Sequence, residues 1–191
     1  MSKVRLENNT FLYPMPVTLL GTLVQGKPNF MALGWVTRVN ANPPLIGCGV
    51  GNHHLTSRGI QETRTFSVNF PSREMIVRTD YCGLVSGLKE DKSALFEIFY
   101  GDTGTAPMIR ECPLSLECRL SGAQEYATNT FFTGEITGVY ADASVLSEGR
   151  PDIRKMDPLL LTMPDNIYWT VGEPAGKAWS IGKTLKKREK P

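Results

Sequence analysis

The sequence predicts a mainly β fold, a closed or nearly closed antiparallel barrel carrying a few helices. Short apolar or alternating runs recur along the chain, separated by turn signals. Thirteen prolines and eighteen glycines supply those turns. The regular βαβ alternation of a doubly wound sheet is missing.

The elements follow in order. "MPVTLLGTLV" (15–24) is a continuously apolar strand closed by the turn "QGKPN". "FMALGWVTRV" (30–39) reads as one second strand, and "PLIGCGV" (44–50) as a third. Thr56 is the candidate N-cap of a short helix through Ile60 to about Thr63. "TFSVNF" (65–70) alternates as a strand should. "SREMIVRTDYCGLVSG" reads as a helix capped by Ser72. "EDKSALFEIF" reads as a further helix, with "FEIF" able to run extended. "LSLECRLSGAQEY" and "TFFTGEITGVYAD" (114–142) form a strand pair, and "NIYWTVG" (166–172) a late strand.

A chain of 191 residues, 41% of them hydrophobic, suffices for one domain with a sizeable core. Residues 1–183 read as that domain. Residues 184–191 read as a basic tail, within an ending "KTLKKREKP" that holds five Lys or Arg in nine positions. A net charge of +2 indicates no global field for nucleic acid or membrane. The aromatics are not interleaved with Lys and Arg, which argues against a single-strand-binding barrel. No apolar run approaches a membrane span. Cys48, Cys82, Cys112 and Cys118 form no C-x-x-C pair and follow a polar, proline-broken start. They read as reduced thiols of a cytoplasmic protein, packed as small apolar residues.

The stretch "GCGVGNHHLTSRGI" (47–60) invites four chemical readings. A dinucleotide fingerprint fails, because Asn52 stands where the third glycine belongs. A metal site fails, because adjacent His53 and His54 diverge on any regular element and no other histidine exists. No local signature arranges a nucleophile with a base. What survives is an anion site at the start of the helix near Thr56, with Ser57 and Arg58 beside it. Against it stands the plainer reading that Thr56 only caps its own helix.

The segments "YPMPVTLLGT", "GKPNFMALGWVTRVNANPPLIGCGV", "HHLTSRGI", "FSVNFPS", "TDYCGLVSG", "DKSALFE", "APMIRECPLSLEC", "GEITGVYAD" and "GKAWSIGK" run in an order covering roughly residues 10–183. In these the chain resembles the flavin reductase-like, FMN-binding split-barrel family, and within it the flavoredoxin branch. The resemblance implies an antiparallel Greek-key split barrel, a homodimer and one FMN per subunit near the subunit interface. It implies a flavin site of Asn29, Trp35, Val36, Thr37, Arg38, Val39, Asn40, Val50, Gly51, His54 and Thr56. It also makes Lys92 the phosphate lysine, with Phe131 and Tyr168 as candidates to close the ring pocket.

The residue types suit those roles. A lysine matches a phosphate, tryptophan packs on a flat ring, and asparagines offer both donor and acceptor to the ring's polar edge. Taken singly, Trp35 is as good a core residue, Lys92 a surface charge and Asn29 a turn residue. The implied activity is an FMN-binding oxidoreductase moving electrons from NAD(P)H to free flavin, ferric iron or another acceptor. The alternative is a flavoredoxin-type carrier that holds FMN tightly, exchanges electrons with a redox partner protein and does not react with NAD(P)H.

Overall fold

A computed structural model describes residues 1–186. The main sheet contains β1 (Thr18–Val24), β2 (Lys27–Leu33), β3 (Val36–Asn40), β4 (Leu45–Gly51), β5 (Thr65–Phe70), β6 (Leu114–Glu125) and β7 (Asn129–Ala141). Their spatial order is β2-β1-β5-β6-β7-β4-β3, and every ladder is antiparallel. The expected mainly β fold is therefore present, with three hairpins linked in Greek-key fashion.

The predicted strand over 30–39 is two strands. The ladder of β2 ends at Leu33, and β3 begins at Val36 on the opposite edge of the sheet. In a flat sheet the edges of seven strands lie roughly 29 Å apart, whereas three Cα steps reach about 11 Å. The two-residue link Gly34–Trp35 therefore obliges the sheet to curl until its edges meet at that end. Among the described residues no ladder joins β2 to β3, so the barrel stays split along that seam.

Both faces of β1 and β2 are covered, which is why their sequence is apolar without alternation. Leu20, Met31 and Leu33 point into the barrel with Ile46, Phe66 and Phe132. Leu19 and Phe30 point outward into a second core with Met75, Cys82 and Phe96. That outer core is roofed by α2 (Ile76–Leu84), which a short 3-10 turn over Arg73–Met75 leads into. The predicted helix around "EDKSALFEIF" is only a 3-10 turn, Ser93–Leu95, followed by extended Ile98–Phe99. A separate three-stranded sheet joins Met15–Pro16, β8 (Leu159–Thr162) and β9 (Ile167–Thr170) beside the seam. Among the described residues no helix is long and apolar enough to cross a membrane. Of the basic tail expected over 184–191, residues 187–191 lie outside the described residues.

The helix α1 (Leu55–Thr63) packs on β1 through Gly59. A Cβ at that position would lie 2.6 Å from the Leu23 carbonyl oxygen and 2.6 Å from Thr22 Cγ2. Backbone thus meets backbone, and the helix cannot retreat without breaking this contact. Gly59→Ala should lower stability by about 1–3 kcal/mol through overpacking, despite alanine's better helix propensity. A urea unfolding midpoint at or above the wild-type value would refute this packing argument.

Candidate functional site

β4 organises the site through its alternation. Ile46, Cys48 and Val50 face the barrel core, while Gly47, Gly49 and Gly51 face outward. Each outward glycine is the seat of an aromatic ring. A Cβ at 47 would lie 2.3 Å from the Phe131 ring, one at 49 would lie 3.2 Å from the Trp35 indole, and one at 51 would lie 2.9 Å from His54 and 3.0 Å from His53. The glycines in "GCGVG" therefore clear space for rings laid across the strand.

Trp35, in the link between the sheet's edges, is 45% exposed and stands between two hollows. On one side is a cleft of about 690 Å³. Its floor comes from Met31, Ala32, Leu33 and Gly34, and one wall from Gly51, His53 and His54. Asp80 and Gly83 of α2 face these, and Leu161, Met163, Asn166 and Tyr168 close it from the β8–β9 hairpin. On the other side of Trp35 lies an apolar groove of about 550 Å³, lined by Pro14, Pro16, Val36, Thr37, Phe131 and Pro164.

At the α1 end of the cleft the polar groups are buried. Thr56 is not the cap of α1. The turn that closes with His54 N–H donating to the Gly51 carbonyl at 3.0 Å starts the helix two residues earlier, so His54 holds the cap position. Thr56 lies inside the first turn, where its hydroxyl accepts a 2.8 Å hydrogen bond from Asn29 Nδ2. No side chain caps this helix and no acidic residue lies in its first turn, leaving its positive end uncompensated. Lys92 is 5% exposed. Its Nζ donates to the carbonyls of Cys82 at 3.1 Å and Val85 at 2.9 Å, at the C-terminal end of α2. An ammonium has three donors, and Lys92 makes no ion pair among the described residues. Burial lowers its pKa, and its charge in turn helps to lower that of His54.

The structure thus brings Trp35, Gly51, His54 and Tyr168 to one cleft, and sets Asn29, Thr56 and Lys92 as a buried polar group near His54. It does not bring the other predicted residues there. Val36, Thr37 and Phe131 line the neighbouring groove. The Val50 side chain is sealed in the barrel core. Arg38, Val39 and Asn40 are exposed on the outer half of β3, where Asn40 Nδ2 donates to the Pro43 carbonyl at 2.9 Å. Asp80, His53, Met163 and Asn166 line the cleft without having been anticipated. For His53 the adjacency to His54 was a usable signal, but Asp80 comes from a helix whose packing no local pattern reveals. All four cysteines are buried. Burial pushes the Cys48 thiol up to about 12 and that of Cys82 to about 11, so they pack as protonated thiols.

Split barrel, seam and cleft together define a family. Residues 10–165 match the model of the flavin reductase-like domain, and the chain belongs to that family. A flavoredoxin from Methanosarcina acetivorans is 61% identical with a TM-score of 0.95, covering 97% of this chain and 100% of its own. The flavoredoxin of Desulfovibrio vulgaris (Miyazaki F) is 36% identical with a TM-score of 0.89, covering 95% and 100%. An uncharacterised protein of Archaeoglobus fulgidus is 34% identical over 146 residues, 75% of this chain and 81% of its own. This membership supports flavin-related electron transfer.

The hairpin that closes the cleft is tied to α2 by one side chain, Tyr168, whose hydroxyl donates to Asp80 Oδ1 at 2.9 Å. Burial, this hydrogen bond and the carboxylate charge push the Tyr168 phenol up to about 12. Tyr168→Phe should remove about 0.5–1.5 kcal/mol of local stability. Amide exchange should then quicken over 159–170 while the global unfolding midpoint stays nearly constant. Unchanged exchange in that segment would show that the tether is not what holds it.

Proposed function

We propose that the chain binds FMN in the 690 Å³ cleft and works as an electron-transfer oxidoreductase. The observation that carries this reading is the Lys92 ammonium, buried with no ion pair among the described residues, near the uncapped positive end of α1. A buried charge of this kind calls for an anion, and the rest of the cleft suits a flat, largely apolar ring. Lys92, the first-turn N–H groups of α1, Asn29 and Thr56 would hold the phosphate. Trp35 and Tyr168 would flank the ring, with Asp80 and the histidines at its polar margins. When bound, FMN supplies the hydride and single-electron chemistry. The chain's own residues bind and orient it and exclude water from its buried face.

Likeness to a flavoredoxin over nearly the whole chain favours electron carriage between proteins. A second reading, reduction by NAD(P)H, is favoured by the groove on the far side of Trp35, whose 550 Å³ falls in the range of small-ligand sites. The homodimer belongs to the same proposal. Trp35 and Val39, with Phe11, Leu12 and Tyr13 of the N-terminal arm, are exposed apolar residues that a second copy would cover.

The first measurement is the absorbance spectrum of protein loaded with FMN and desalted, then treated anaerobically with NADH, NADPH and dithionite in turn. Flavin bands should remain after desalting. Bleaching by a nicotinamide would make the chain a reductase, bleaching by dithionite alone would leave it a carrier, and absence of retained or titratable FMN would refute the site. Lys92→Met keeps the packing of the stem but removes the charge. It should weaken FMN binding by about 1.5–3 kcal/mol while changing riboflavin binding much less. Equal losses for the two ligands would take Lys92 out of the phosphate site.

A further inference from the structure

His53 and His54 are the only histidines in the chain, and their rings lie against each other at a tilt. Their ring centroids lie 4.1 Å apart at an interplanar angle of 38°. Both line the cleft, and the missing side chain of Gly51 gives them the room to do so. Their ring nitrogens have no hydrogen-bond partner among the described residues. Both residues are exposed, so water satisfies these nitrogens and a proton reaches them directly from solvent.

The surroundings explain what such a pair can do. His54 sits at the cap position of α1, where the helix end is positive. Lys92 acts on it from the loop after α2. Across the cleft stand Asp80 of α2 and Tyr168 of β9, which are bonded to each other. Arg58, on the outer side of α1, is paired with Glu62. Asn129 and Thr128, from the start of β7, are uncharged. Without an anion, a proton on His54 faces Lys92, the helix end and the second imidazole. Burial, His53 and Lys92 accordingly hold the His54 pKa below its ordinary value. A phosphate at the α1 end reverses the sign of that local field.

We propose that His54, with the His53 ring beside it, is a proton-uptake site coupled to phosphate binding: its imidazole takes one proton from solvent as the phosphate monoester of the ligand enters, and returns it on release. The inference rests on the FMN reading and adds to it a pH linkage. The sign follows from the charge balance. An anion raises the pKa of His54, so the bound state holds more protons than the free state between the free and bound pKa values. Affinity for the phosphate ligand then rises as pH falls through that window and levels off below it.

The test titrates FMN and riboflavin into the wild type, His54→Gln and His53→Gln from pH 8 to pH 6 at constant ionic strength, with flavin fluorescence as the readout. The second ionisation of the FMN phosphate acts equally on all three proteins, so the ratio of variant Kd to wild-type Kd isolates the pair. For His54→Gln with FMN this ratio should grow by about threefold or more as pH falls across that range. With riboflavin, which lacks the phosphate, it should stay flat. In His53→Gln the remaining His54 no longer faces a second imidazole, so its pH-dependent window should move to higher pH. A purely structural pair would move no such window. A pH-independent ratio with FMN, or equal growth with riboflavin, would overturn the proposal while leaving FMN binding intact. Failure of the wild type to bind FMN at any pH would overturn this inference and the FMN reading together.

Discussion

The two-residue link Gly34–Trp35 is the constraint on which the rest of the molecule depends. It joins strands at opposite edges of a seven-stranded sheet, so the sheet has to roll up until those edges nearly touch. Rolling creates the inner core. Stopping at the link, without a closing ladder, leaves a seam. Trp35 stands in that seam, so a hollow opens on each side of its ring. Cleft, groove and split barrel are therefore three results of a single connection being too short for a flat sheet.

The second organising feature is the division of labour along β4. Ile46, Cys48 and Val50 fill the barrel, and Gly47, Gly49 and Gly51 between and after them accept rings. One strand thus supplies core and cleft surface at the same time, with the two jobs separated by the two-residue period of the backbone. The polar end of the cleft is built differently. Asn29 bonds Thr56 because α1 packs against β1 and β2, while Lys92 is held near His54 by the C-terminal end of α2, which lies over β2.

Much of this was legible in the sequence, and the failures have physical causes. Strands such as Thr65–Phe70 were visible because each has its own period or apolar run. The false single strand over 30–39 arose because an apolar run carries no record of which neighbour it pairs with, and glycine followed by tryptophan is compatible with a strand interior. Thr56 was misread as a cap because the preference for threonine there is local, whereas the helix start was set by the turn closing on Gly51. Family resemblance supplied residues that lie near the cleft together with others on the outer half of β3, since a motif marks a segment rather than the direction of each side chain. Asp80 escaped notice because its place in the cleft depends on how α2 docks, which only the tertiary structure specifies.

A barrel left open along one seam exposes unpaired backbone, and an open strand edge is a template for aggregation by strand addition. The free edge of β3 carries its own protection. Its outer half is exposed and bears Arg38, and a register shift between Arg38 and Asn40 interrupts the ladder with β4. A charge and a bulge at the edge both oppose the flat, continuous pairing that a neighbouring molecule's strand would need. The irregularity at the end of β3 thus lets the protein keep its seam open without inviting fibrous self-association.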